Sequence, residues 1–310
     1  REKSHLVLVG LLCSLIALVS TGINTANADP ALIGQWSAPV ELGTVAVNLN
    51  LLPNGKVLYW SGDNNATPPN YGELWNPATN QITPVPNLFS NIFCSSNVAL
   101  PDGRVLVAGG HDDGGILGAP NASVFDPTTS SWTSLPSMSS RRWYPTLTAL
   151  GDGRAIVMSG SEFEELVWVK TPEIYNPGTN QWTQLANASL AIPQYPMIYL
   201  LGDGRLLEVG STEYPTNTQT FNIATQSWTM VDTQVLDGGS SAMYLPGRIM
   251  KSGSASQDGQ TPNATSAATT YVLNMNTASP TWRQTTSMAF PRTFHNLTNL
   301  ADGTVLATSG

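Results

Sequence analysis

Leu100-Pro101-Asp102-Gly103-Arg104-Val105-Leu106-Val107-Ala108-Gly109-Gly110 sets an Asp-Gly pair between apolar residues and ends its apolar run in two glycines. Asp-Gly in that setting is a strong short-range signal for a β-hairpin, because the turn needs a positive φ that glycine adopts without penalty. The pattern recurs at Leu52-Pro53-Asn54-Gly55-Lys56-Val57, Leu150-Gly151-Asp152-Gly153-Arg154-Ala155, Leu201-Gly202-Asp203-Gly204-Arg205-Leu206, Leu245-Pro246-Gly247-Arg248-Ile249 and Ala301-Asp302-Gly303-Thr304-Val305. The turn glycines stand at 55, 103, 153, 204, 247 and 303, separated by 48, 50, 51, 43 and 56 residues.

A second element follows each copy except the last. An aromatic or apolar strand enters a polar turn and leaves through tryptophan: Phe125-Asp126-Pro127 to Trp132, Tyr175-Asn176-Pro177 to Trp182, Phe221-Asn222 to Trp228, and Leu273-Asn274 to Trp282. The first copy is shorter, at Leu74-Trp75-Asn76-Pro77. Each unit is thus two hairpins, a small four-stranded sheet that cannot bury both faces alone. Radial stacking of such sheets covers the faces and leaves only short edges. A period near 50 with this layout predicts an all-β, kelch-type β-propeller, and the repeated tryptophans are expected to pack between blades. About six blades fit the chain, with seven expected in the full-length protein. Residues 29–310 are read as a propeller incomplete at its C-terminal end.

Composition agrees. Among 310 residues there are 27 Gly and 22 Pro, 41% hydrophobic residues, only 11% charged residues, and a net charge of −8. So many aromatic and apolar residues exclude a disordered chain. The acidic balance excludes a nucleic-acid binder held by phosphate contacts. Residues 1–28 differ in kind, with Arg1 and Lys3, an apolar run from Leu6 to Val19, and Ala26-Asn27-Ala28 as a small-x-small cleavage site. They read as a secretory signal peptide, which predicts a secreted, extracellular protein with no membrane anchor after cleavage. Cleavage removes Cys13 and leaves Cys94 as the one cysteine. An unpaired cysteine in a secreted protein is either a buried thiol or a chemically used one.

Nine residues before each turn glycine stand Ala46, Cys94, Tyr144, Tyr195, Gly238 and Phe294. This place precedes the first, innermost strand of each blade, so the six positions form a ring at one mouth of the central channel. Cys94 and Tyr144 are one repeat apart and therefore neighbours across a blade seam. Phe89, Phe93 and Trp143 surround them with aromatic residues, while Arg141 and Arg142 bring positive charge, which favours phenolate over phenol.

Phe93-Cys94-Ser95-Ser96, the hairpin after it, Arg142-Trp143-Tyr144-Pro145-Thr146, and Pro291-Arg292-Thr293-Phe294-His295 together resemble the galactose oxidase and glyoxal oxidase family of copper radical oxidases. The resemblance implies a thioether between Cys94 and the ring of Tyr144, with Tyr144 also a copper ligand. That Cys-Tyr pair would serve as a one-electron store beside the metal. The implied reaction oxidises a primary alcohol or aldehyde with O2 and releases H2O2. The resemblance also places Phe294 in the substrate pocket, flanked by Arg292 and His295.

Three departures accompany it. The family's axial tyrosine and its two histidine ligands fall later than Gly310, so the chain alone is expected to be inactive. Glu162 stands 18 residues after Tyr144, where galactose oxidase carries a tryptophan stacked on the thioether, with Phe163 and Trp168 nearby. Ser96-Asn97 replaces the Gly-His of many relatives. His295 is expected as a hydrogen-bonded strand residue. His111, beside Asp112 and Asp113, lies in a Gly-rich loop with no second histidine near, which speaks against a metal role. The alternative to an oxidase is a non-catalytic kelch propeller that binds carbohydrate or protein. A sialidase-type propeller is excluded by the missing Asp-x-Gly core of its repeated boxes. The sequence leaves the substrate open among sugar alcohols, simple aldehydes and polymer termini.

Overall fold

A computed structural model describes residues 35–61, 72–112, 117–163, 167–211, 214–236, 239–254 and 266–310. The expected signal peptide, Asp113 and Gly238 lie outside them. The chain divides into two compact units, Arg1–Val40 and Glu41–Gly310. The described part of the first, residues 35–40, carries no regular secondary structure. Among the described residues there is no helix at all, and so none long and apolar enough to cross a membrane.

The second unit is a kelch-type propeller of antiparallel sheets. The first blade holds β1 (Asn48–Leu51), β2 (Val57–Trp60), β3 (Glu73–Asn76) and β4 (Gln81–Pro84); the second β5 (Ser96–Ala99), β6 (Val105–Ala108), β7 (Ala122–Asp126) and β8 (Ser131–Leu135). The third holds β9 (Thr146–Ala149), β10 (Ala155–Met158), β11 (Glu173–Asn176) and β12 (Gln181–Gln184); the fourth β13 (Pro196–Leu200), β14 (Leu206–Ser211), β15 (Thr216–Asn222) and β16 (Ser227–Leu236). The fifth holds β17 (Ser240–Leu245), β18 (Arg248–Ser252), β19 (Thr270–Asn274) and β20 (Arg283–Thr285), and β21 (Asn296–Asn299) pairs with β22 (Val305–Thr308) in a two-stranded sheet.

Every predicted hairpin turn is present; the fifth blade turns on the two residues Pro246 and Gly247, and the others have a longer loop. In the third blade Ala149 pairs with Ala155, the Leu150 N–H donates to the Arg154 carbonyl at 2.8 Å, and the Gly153 N–H to the Leu150 carbonyl at 3.1 Å. Gly153 has φ +88, while Asp152 is not among the residues at positive φ. The loop is therefore a three-residue turn closed by a left-handed glycine, not the two-residue type. Asp152 accepts from the Arg154 backbone N–H at 3.1 Å and from its guanidinium at 2.8 Å, and the second and fourth blades repeat the arrangement at Asp102–Arg104 and Asp203–Arg205.

The core lies between blades. Side chains of a strand alternate faces, and β6 shows the consequence. Val105 and Val107 pack with Leu58, Trp60 and Leu74 of the first blade, whereas Leu106 and Ala108 pack with Leu147, Ala155 and Val157 of the third. All four β6 residues are buried because both faces are covered. The tryptophans stitch the same seams. Trp132 Nε1 donates to the Val85 carbonyl at 2.7 Å, Trp182 Nε1 to Pro136 at 3.0 Å, and Trp228 Nε1 to Ala188 at 3.0 Å, each partner following the last strand of the preceding blade.

The first strands are neighbours around the axis and are tied by polar groups. Asn97 Nδ2 donates to Asn48 Oδ1 at 3.0 Å, the Leu147 N–H to Ser96 Oγ at 2.8 Å, and Thr146 Oγ1 to the Pro196 carbonyl at 2.8 Å. They line the central channel of the propeller, and Tyr144, Tyr195 and Phe294, which stand just before three of them, border a cavity there.

Candidate active site

Cys94, Tyr144, Tyr195 and Phe294 share one backbone conformation, with φ of 57, 60, 48 and 50. Positive φ is uncommon outside glycine and disfavoured for bulky side chains, so four aligned instances are a built feature. Ala46 is not among them. At two of the four the N–H is turned toward the preceding blade. Tyr144 N–H donates to the Cys94 carbonyl at 2.9 Å, and Tyr195 N–H to the Tyr144 carbonyl at 2.8 Å. Three successive ring positions are thereby joined directly, and Cys94 is buried at their start.

The loops behind the site require glycine. A Cβ on Gly109 would lie 2.5 Å from the Arg142 carbonyl oxygen, and one on Gly110 would lie 2.2 Å from that of Asn91. The Gly-Gly end of the β6 segment thus lets the second blade's loop run against the chain entering Cys94 and the chain entering Tyr144.

Two rings stack on Tyr144. Trp143 lies 3.8 Å away at 16°, and Tyr195 lies 4.5 Å away at 24°. Two coplanar rings so near cannot share one face of a phenol, so they take opposite faces. Trp143 is held by a backbone pair with Ser161, at 2.8 and 2.7 Å. Tyr195 Oη reaches the Ser95 carbonyl at 3.5 Å. Glu162 is directed elsewhere, its carboxylate toward the Arg141 N–H at 3.5 Å and its carbonyl accepting from the Gly118 N–H at 2.9 Å. Phe163 is exposed, and Trp168 tilts against Tyr214 at 5.6 Å. Neither the stacking role of Trp143 nor that of Tyr195 was read from the sequence. The available signal was that Tyr195 occupies the ring position one repeat after Tyr144.

The expectation that Arg141 and Arg142 charge the phenol's surroundings is corrected. Arg142 is wholly buried, donating to Glu173 at 2.9 Å and to the carbonyls of Ser159 and Thr171, both at 2.7 Å. Arg141 pairs with Asp112. Each guanidinium is matched by a carboxylate: for Arg142 because a charge buried in a sheet seam is tolerated only when paired, while the Arg141 pair is partly exposed.

A cavity of about 650 Å³ opens at the channel mouth, lined by Tyr144, Tyr195, Tyr199, Ser241, Phe294 and His295 among others. Burial pushes the Tyr199 phenol up to about 12, and its oxygen lies 2.7 Å from Ser241 Oγ. Phe294 is half exposed at the rim. Arg292 does not line the cavity. Its guanidinium donates to the Ser309 carbonyl and its N–H to Ala267, the blade position that Arg142 holds in the third sheet. His295 is buried with Nε2 2.9 Å from Ser252 Oγ; burial, then the charge of Arg292, hold its pKa below the ordinary histidine value. His111 bridges Asn91 and Gly118 through its backbone.

A family model described as glyoxal oxidase N-terminus matches residues 70–310. Among solved structures, one described as a novel fungal alcohol oxidase with catalytic diversity among the AA5 family, in complex with copper, matches with a TM-score of 0.74 and 24% identity, over 89% of this chain and 61% of that one. At that identity the likeness is one of fold, and this chain spans less than two thirds of the other's length. The comparison with curated proteins finds no match. The family match runs over most of the repeats and takes in Cys94, Tyr144, Tyr195 and Phe294: the chain belongs to the glyoxal oxidase N-terminal family.

Proposed function

We propose that the chain is the propeller part of a secreted copper radical oxidase, which takes two electrons and two protons from a primary alcohol or aldehyde hydrate and passes them to dioxygen as hydrogen peroxide. The observation that carries this reading is the seam at which the Tyr144 N–H meets the Cys94 carbonyl, with both residues in the same left-handed conformation. Membership of the glyoxal oxidase N-terminal family supports it.

In this reading the Cys94 sulfur bonds to a ring carbon of Tyr144. The S–H and one ring C–H are lost and an S–C bond forms; the two protons and two electrons go to dioxygen. A sulfur substituent spreads an unpaired electron and makes the phenoxyl easier to reach. Phe294 supplies an apolar wall for the substrate. Tyr144 is the copper donor this chain offers. Among the described residues no group of three or more His, Cys, Asp or Glu could hold a metal, so these residues alone do not fit a copper ion. The other donors belong, in this reading, to residues beyond those described.

The test is peptide mass mapping of the protein expressed from its complete coding sequence and exposed to copper and oxygen. The expected result is one cross-linked species joining the Cys94 and Tyr144 peptides, lighter than their sum by two hydrogens. Separate peptides with an alkylatable thiol would leave the non-catalytic kelch module as the reading.

A further inference from the structure

Tyr195 touches the candidate radical pair in three ways. Its N–H is bonded to the Tyr144 carbonyl at 2.8 Å, its ring is stacked on the Tyr144 ring at 4.5 Å, and its hydroxyl reaches, at 3.5 Å, the carbonyl of Ser95, the residue after Cys94. It belongs to the fourth blade, whereas Cys94 and Tyr144 belong to the second and third. Its left-handed φ of 48 brings the N–H and the ring to Tyr144 together. With Trp143 on the opposite face, both faces of the phenol are covered by aromatic carbon. Tyr195 and Tyr144 both border the cavity.

We infer that Tyr195 is a positioning residue for the Tyr144 radical, acting through the stacked ring. The inference rests on the oxidase reading above. A phenoxyl is electron-poor and is stabilised by an electron-rich ring held against its face. The same ring keeps water and external reductants off the face of the phenol that it covers. The hydroxyl contact is long for a hydrogen bond, so the ring carries the effect rather than the oxygen. Glu162, in the place of the stacking tryptophan of galactose oxidase, is turned away, which leaves Trp143 and Tyr195 to cover Tyr144.

The experiment compares wild type, Tyr195→Phe and Tyr195→Asn. Asparagine tolerates positive φ and removes the ring; Tyr195→Met serves if the asparagine variant does not fold. Each protein, expressed from its complete coding sequence, is matured with copper and oxygen, mapped for the cross-link, stripped of copper by chelation, and oxidised with hexacyanoferrate(III). That step takes one electron from the phenol, reduces the iron reagent to hexacyanoferrate(II), and releases the phenolic proton to solvent. The readout is the lifetime of the organic radical by electron paramagnetic resonance.

Wild type and Tyr195→Phe are expected to agree within about twofold, with the radical at least about tenfold shorter-lived in Tyr195→Asn. Equal lifetimes in all three cross-linked proteins overturn the role of Tyr195. A phenylalanine variant as short-lived as the asparagine variant overturns the stacking explanation. Absence of the cross-link from wild type overturns the oxidase reading and this inference with it.

Discussion

The Glu173 carboxylate accepts the Ser139 N–H at 2.6 Å, the Ser140 N–H at 3.1 Å and the Arg142 guanidinium at 2.9 Å, and both charged side chains are wholly buried. It fixes the segment that runs straight into Trp143 and Tyr144. Glu173→Gln leaves a buried guanidinium without its counter-charge and is expected to cost about 3–5 kcal/mol, measured by denaturant unfolding. Replacing Arg142 and Glu173 together by apolar residues should cost less than that single change, because no charge is then stranded. Cys94→Ser tests the other side of the seam. It is nearly isosteric, so the loss of stability should stay under about 3 kcal/mol, the range for burying a hydroxyl. On the oxidase reading proposed above, peroxide formation by the copper-loaded protein expressed from its complete coding sequence should nevertheless vanish, and a variant with undiminished turnover would end that reading. The places of Cys94 and Tyr144 were legible from repeat arithmetic alone. The fate of the Arg142 charge was not, since Glu173 lies two strands on and only the fold sets it beside the guanidinium.

At the scale of elements, the turn and its glycine are local chemistry and were readable, whereas the turn's subtype depends on which residues close the hairpin. Leu150 and Arg154 close it, which places Asp152 at negative φ and leaves its carboxylate to bind the turn. The tryptophans work between elements. Trp132 packs edge-on against Phe125 at 5.1 Å and Trp60 at 6.3 Å, and donates across the seam to Val85. Trp132→Ala removes the ring and strands that carbonyl, for an expected loss of about 3–5 kcal/mol. Trp132→Phe keeps most of the apolar contact and loses the hydrogen bond, about 1 kcal/mol. Equal destabilisation by the two variants would mean that the indole N–H, not the packing, holds the blades together.

Across the whole ring, the residues four beyond each turn glycine take the same place in the second strand: Tyr59, Val107, Val157, Glu208 and Lys251 in the five complete blades. Val107 and Val157 are apolar core, but Glu208 and Lys251 put buried charged side chains at that place in the fourth and fifth blades. Burial pushes the Glu208 carboxyl up to about 7, against the opposing hydrogen bonds of Thr216 and Gly210 and the charge of Lys251. An acid whose pKa is raised by folding holds its proton more tightly in the folded chain. Its contribution is most favourable below the ordinary carboxylate value and is lost as pH rises through about 7. Wild type should therefore lose stability relative to Glu208→Gln between about pH 4.5 and 7, by a total on the order of 3 kcal/mol. Parallel melting curves for the two proteins over that range would show that the carboxyl stays ionised throughout.

The amino-acid sequence by itself determined the repeat, the hairpins, the inter-blade tryptophans and the ring that sets Cys94 beside Tyr144, because each follows from local turn chemistry and a fixed period. Only the tertiary structure decided which rings lie on the Tyr144 phenol, which carboxylates consume the arginine charges, and which side chains wall the cavity. Those contacts form across seams between sheets, where residues tens of positions apart meet, and no local rule of the chain specifies how side chains interleave there.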